Sequence, residues 1–130
     1  MPKKDLKSIT IYSLTIGLII FFLFFLITST TIGSSVKTHC KSTEAKYGND
    51  CVTALMLQVQ DEEASFSDRN HAIWALGQLG DERALDLLKN LYTGEIPPRE
   101  KWEGVLSQYE LKKAIKLLDG GVNLAAWVWR

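Results

Sequence analysis

The uncharged stretch from Ser8 to Val36 constrains this chain more than any other feature. It holds no Asp, Glu, Lys or Arg, and its central run, Ile9 to Ile27, is 19 residues of mostly aliphatic and aromatic side chains, including IIFFLFFLI. At about 1.5 Å per helical residue this run matches the roughly 30 Å hydrocarbon layer of a bilayer. A core helix of a globular domain needs apolar side chains on one stripe, whereas this run carries them on every face. Residues 9–32 are therefore read as a transmembrane helix. A cleaved leader is the rival reading, because Gly33, Ser34 and Ser35 follow the run. The length of the run and the lack of an A-x-A site favour an uncleaved anchor.

Basic residues set the expected orientation. Lys3, Lys4 and Lys7 lie close to the run on one side, while Lys37 and Lys41 stand further off on the other. Basic flanks are retained in the cytoplasm, so residues 1–8 are expected there and everything from residue 33 outside it. An oxidising space favours a disulfide between Cys40 and Cys51, which have ten residues between them. Closing so short a loop contributes about 3 kcal/mol by the chain-entropy argument. Two unpaired cysteines, or a lipid-modified Cys40, are the alternatives. Beyond residue 39 the chain has 11 Lys plus Arg and 14 Asp plus Glu, a balance of 11 − 14 = −3. Nucleic acid is not expected as a partner, since it calls for a basic patch.

Residues 33–48 are polar and show no helical periodicity until their end, which suits a stalk. A folded domain is expected over 49–130. Val52, Leu55, Met56 and Val59 fall at helical spacing behind Asn49 or Asp50 as the N-cap, and Asp61, Glu62 and Glu63 end that helix. Ser67 or Asp68 is expected to cap a second helix that buries Ala72, Ile73, Leu76 and Leu79 and stops at Gly80. Asp81 then caps a third, with Ala84, Leu85, Leu88, Leu91 and Tyr92 on its stripe. So short a turn predicts an antiparallel αα-hairpin. Ser107 and Glu110 form an S-x-x-E capping box before a fourth helix, with Leu111, Ala114, Ile115 and Leu118 inward. Residues 99–106, with Trp102, fit either a short helix or an ordered loop. The tail from Val122 to Arg130 reads as extended.

The segment RNHAIWALGQLGDERALDLLKNLYTG, Arg69 to Gly94, resembles a HEAT-like repeat of the kind found in phycobilin lyases and many bacterial scaffold proteins. Arg69, Ala72, Ala75, Leu76 and Gly77 carry the likeness, followed by Leu79-Gly80-Asp81 and Arg83-Ala84. The resemblance covers about a fifth of the chain and implies an all-α fold. One transmembrane helix would precede a short α-solenoid, a helical hairpin with flanking helices at 49–60 and 107–119. The outer part also looks similar to small membrane-anchored bacterial HEAT-repeat proteins with an AWVWR-like tail, a likeness that brings no activity with it.

Deoxyhypusine hydroxylase is an enzymatic branch of the HEAT-like proteins and pairs His with Glu near helix starts to hold two irons. Asn70 and His71 occupy those positions here, and the chain's other histidine is His39. A di-iron centre needs several converging His and carboxylate ligands. No catalytic, cofactor-binding or metal-binding residues are therefore expected, and His71 is read as a surface or hydrogen-bonded group. The acidic run 61–63 lacks the spacing of a calcium loop. Aromatic side chains are the more informative signal, because Trp, Tyr and Arg dominate interface hot spots. Arg69, Trp102 and Tyr109 are the expected interaction candidates, with Trp127 and Trp129 next. The last two are also suited to closing the end of a short helical stack or to lying at a membrane interface. The expected function is a membrane-anchored, non-catalytic protein-interaction module or scaffold. An accessory enzyme or lyase-like small-molecule binder, and a structural subunit packing through Ser13, Thr15 and Gly17, are the alternatives.

Overall fold

A computed structural model describes residues 3–130, with side chains from Asp5 onward. Met1, Pro2 and the side chains of Lys3 and Lys4, on which the expected orientation partly rests, lie outside the described residues. The described residues form helices and turns with no strand: α1 (Lys3–Tyr47), α2 (Cys51–Gln60), α3 (Phe66–Leu79), a 3-10 turn (Glu82–Ala84), α4 (Leu85–Leu91), α5 (Gln108–Leu118) and a short α6 (Ala126–Trp129). The chain is all-α, as its patterning requires.

Helix α1 is a single uninterrupted helix of 45 residues, about 67 Å long at 1.5 Å per residue. Its apolar part is long and hydrophobic enough to cross a membrane, and its most apolar window is entirely uncovered by the rest of the chain. The expected stalk over 33–48 is corrected: these residues continue α1 and pack on the domain. Ser29, Val36 and Thr43 are buried there, as is Gly33, while Cys40 and Tyr47 are half-buried. These positions advance by 4, 3, 4, 3 and 4 residues, a helical seam made mostly of small or polar side chains. Hydroxyls that would compete with a helix are satisfied within it, since Thr28, Thr30 and Thr31 each donate to carbonyls one turn back.

Helix α2 is fixed to this seam. Cys40 and Cys51 form a disulfide with their Cα atoms 5.0 Å apart, within the range that the bond spans unstrained at the backbone. Further along α2, Gln58 is buried and its Oε1 lies 3.1 Å from both His39 Nε2 and Thr43 Oγ1. The Tyr47 hydroxyl donates to Asp61 at 2.5 Å, and Lys46 approaches the same carboxylate at 3.4 Å. The acidic turn is thus held by neighbours rather than freely solvated at Asp61.

Capping follows the expected chemistry with one shift. Asp50 caps α2 and Gly80 takes the left-handed position that ends α3, with φ 69°. The cap of α3 is Ser65, whose Oγ accepts from Asp68 N, because Phe66 and Ser67 already lie inside the helix. Asp81 accepts from Arg83 N and starts the 3-10 turn that leads into α4. Arg83 also reaches Asp50 at 2.9 Å, linking the starts of two helices. The Thr53 hydroxyl, and then the Arg83 guanidinium, hold the Asp50 carboxyl well below the usual carboxylate range.

One core joins α2 to α5: Leu55, Val59, Ile73, Leu76, Leu88, Leu111 and Leu118 are buried in it. Gly77 is needed where α3 meets α5, since a Cβ there would sit 2.8 Å from Ala114 Cα. The arms α3 and α4 touch each other little along their backbones, and α5 packs against both. The hairpin is closed by a third helix rather than by side-by-side contact of its arms.

Asn70 is the polar centre of the fold. It is fully buried, its Nδ2 donates to the carbonyls of Trp102 and Val105 at 2.8 and 2.9 Å, and its Oδ1 accepts from Ser107 N at 2.8 Å. The capping box at Ser107 is therefore half formed. Ser107 Oγ accepts from Glu110 N, but the Ser107 N–H goes to Asn70, and Glu110 pairs instead with Lys113. Replacing Asn70 by Ala strands the buried Ser107 N–H and removes the partner of two half-buried carbonyls, so a loss of about 2 kcal/mol is expected. Urea unfolding of the full chain in detergent measures it, and a loss below about 1 kcal/mol would contradict this account of the loop.

Candidate interaction face

Residues 99–107 form an ordered, turn-rich loop, which settles the two readings left open for that segment. Two groups organise it from opposite ends. Asn70 holds its carbonyls, and the Glu100 carboxylate takes the Ser107 hydroxyl and Gln108 N at 2.6 Å each, with Tyr109 N at 3.3 Å. A carboxylate facing the first N–H groups of α5 is favourably placed against the helix dipole. The loop thereby presents Trp102 edge-on to His71 of α3, with ring centroids 5.4 Å apart.

Ser35 of α1, His71 and Trp74 of α3, and Trp102 line an open cleft of about 340 Å³. Trp74 is half-buried and forms one wall. His71 Nδ1 donates to the Ser67 carbonyl at 2.9 Å, which fixes the ring. Beneath the cleft, His39 lies with its ring centroid 6.1 Å from that of His71. Burial depresses the His39 pKa, and the neighbouring His71 adds to this. The bond to Gln58 and the Asp68 charge oppose them without reversing the shift.

The five interaction candidates are not brought together on one surface. Arg69 is half-buried; its Nε donates to the Val59 carbonyl at 2.8 Å and its guanidinium lies over Phe66. It ties α3 to the end of α2 and is corrected from an exposed edge to a structural contact. Trp102 lines the cleft. Tyr109 is exposed, with Lys113 Nζ 5.0 Å from its ring centroid. The tail is corrected from extended chain to the helical turn α6, which packs on α1. There Trp129 lies against Gly33, where a Cβ would overlap the indole, and its Nε1 is buried without a partner among the described residues. Arg130 folds back onto the Gln78 carbonyl. Trp127 points the other way and is 82% exposed.

Sequence reasoning missed Asn70 and Glu100 as the residues that place Trp102. The partners of Asn70 lie 30 or so positions away, and Glu100 reaches out of an irregular loop to the start of α5, seven to nine residues on, so neither pairing follows from local spacing.

Trp129→Ala should cost about 2 kcal/mol, because a large half-buried ring is removed from a tight contact, whereas Trp127→Ala should leave the melting curve unchanged. Equal losses for both would contradict the division of roles. A His whose folded pKa is depressed contributes stability above its unfolded value, which is lost as pH falls through the folded one. The domain should therefore weaken as pH drops below about 6.5, and His39→Gln should flatten that slope in thermal melts across the same interval. A slope unchanged by the substitution assigns it to other groups.

In comparison with known proteins, residues 68–93 match the model of the PBS lyase HEAT-like repeat, the span from the first turn of α3 to the residue after Tyr92. No curated protein and no solved structure matches the chain. The chain carries one HEAT-like helical repeat, flanked by α2 and α5 and preceded by a long apolar helix that is a candidate membrane span.

Proposed function

We propose that this protein is a membrane-tethered adaptor whose helical repeat binds another protein through the cleft between α1, α3 and the loop carrying Trp102. The observation that carries the reading is the make-up of that cleft: two indoles and an imidazole around an open recess, with the His71 ring bonded to the Ser67 carbonyl and the Trp102 loop tied to Asn70 and Glu100. Pre-fixed aromatic side chains lose little conformational freedom on binding and are the chemistry of interface hot spots. Tyr109, exposed at the start of α5, is a second candidate contact outside the cleft lining. Helix α1 supplies the tether, with its apolar run in the bilayer. The Cys40–Cys51 disulfide supports a domain outside the cytoplasm, because such bonds persist in oxidising compartments. Lys3, Lys4 and Lys7 on the far side of the run support the same topology.

A photo-crosslinking residue placed at Trp102 or Tyr109, in intact cells, should yield one adduct of discrete mass. The same residue at Asp86, exposed on α4, should yield none. Trp102→Ala should reduce the Tyr109 adduct about tenfold, the scale of a hot-spot loss. An impermeant protease applied to the intact cells should then remove the adduct. Equal labelling from Asp86 would overturn the cleft as the binding face, and protection from protease would overturn the topology.

A further inference from the structure

The tail carries apolar side chains that the domain does not use. Val122 is 73%, Leu124 56% and Trp127 82% exposed, and the ten residues from Gly120 to Trp129 include no charge. Their position along α1 is what gives them a meaning. Helix α6 packs on α1 where Trp129 meets Gly33, and Ser29, one turn earlier, is buried as well. The apolar run of α1 ends at Ile27. At 1.5 Å per residue, Ser29 and Gly33 stand about 3 and 9 Å beyond that end. The headgroup layer of one leaflet is roughly 5 to 8 Å deep. The contact of the tail with α1 therefore runs from within the headgroup layer, at Ser29, to its outer edge, at Gly33, so that side chains leaving it toward the bilayer reach the depth at which tryptophan is enriched because its ring is apolar and its N–H polar.

We propose that Val122, Leu124 and Trp127 enter the headgroup–acyl boundary of the bilayer that α1 crosses, making the tail a second membrane contact. This rests on the reading of α1 as the span. The two aromatic residues of the tail divide the work: Trp129 fixes α6 to α1, and Trp127 enters lipid. The occupant is the bilayer rather than a soluble partner because Trp127 belongs to α6, which is packed on α1 just beyond the apolar run, with Val122 and Leu124 a few residues before it, and because the uncharged segment is long enough to lie along the interface.

All four tryptophans lie beyond α1, so their emission reports the domain and tail only. Full-length protein is reconstituted in phosphatidylcholine vesicles brominated either close to the headgroups or close to the chain ends. Shallow bromines should quench about a quarter of the emission, one indole in four, and deep bromines less. Trp127→Phe should abolish the shallow quenching while leaving the melting curve as it was. Unchanged quenching in Trp127→Phe, with protein still retained by the vesicles through alkaline carbonate, overturns the tail contact alone. Release by carbonate overturns the span and the tail contact with it. Retention without quenching, together with a disulfide-linked dimer from Trp127→Cys, reassigns the face to a second copy of this chain.

Discussion

The close seam on the outer half of α1 is the contact on which the rest of the structure depends. Ser29, Gly33, Val36, Cys40, Thr43 and Tyr47 line one side of the helix, and small side chains there let two other elements approach its backbone. Helix α2 takes the upper part through a disulfide and a buried glutamine, and α6 takes the lower part through an indole over a glycine. The first draws mainly on a covalent bond and polar groups, and the second on a single large ring packed on glycine. Covalent linkage, polar satisfaction and close van der Waals approach substitute for the burial that a domain of this size can only partly supply.

That choice of chemistry explains where the sequence was readable. Helices with leucine-rich stripes stood out, and so did their punctuation at Asp50, Gly80, Asp81 and Ser107, because each of those residues acts on backbone groups within four positions of itself. The outer half of α1 looked like a stalk for the opposite reason. Its inward positions do keep a helical period, but apart from Val36 and Tyr47 they are serine, glycine, cysteine and threonine, which a search for apolar periodicity passes over. The tail misled in a similar way, since alternating Val and Trp mimics a strand while the backbone closes into one helical turn against α1. Ser65 was passed over as the cap of α3 because Ser67 and Asp68 offer the same chemistry two and three residues later.

The aromatic cleft was legible only as a list of residues. Trp74, His71 and Trp102 come from two segments separated by more than twenty positions, and what joins them is Asn70, a residue whose significance lies wholly in the long-range carbonyls it satisfies. Asn70 is thus a hydrogen-bond centre inside the repeat that shapes a surface loop outside it.

Helix α1 runs without a break from the apolar segment to the top of the domain, and in the proposed topology this makes the bilayer part of the protein's torsional frame. A flexible stalk would let the domain tumble above its anchor. A continuous helix behaves as a shaft: a change in the tilt or rotation of the buried half is delivered to the cleft at full amplitude, and inserting one residue near Thr28 would turn the whole domain by about 100° while raising it 1.5 Å. In that topology the direction in which the cleft faces along the membrane plane is set by the helical phase of residues 28–35, eight residues of which only the last, Ser35, lines the cleft.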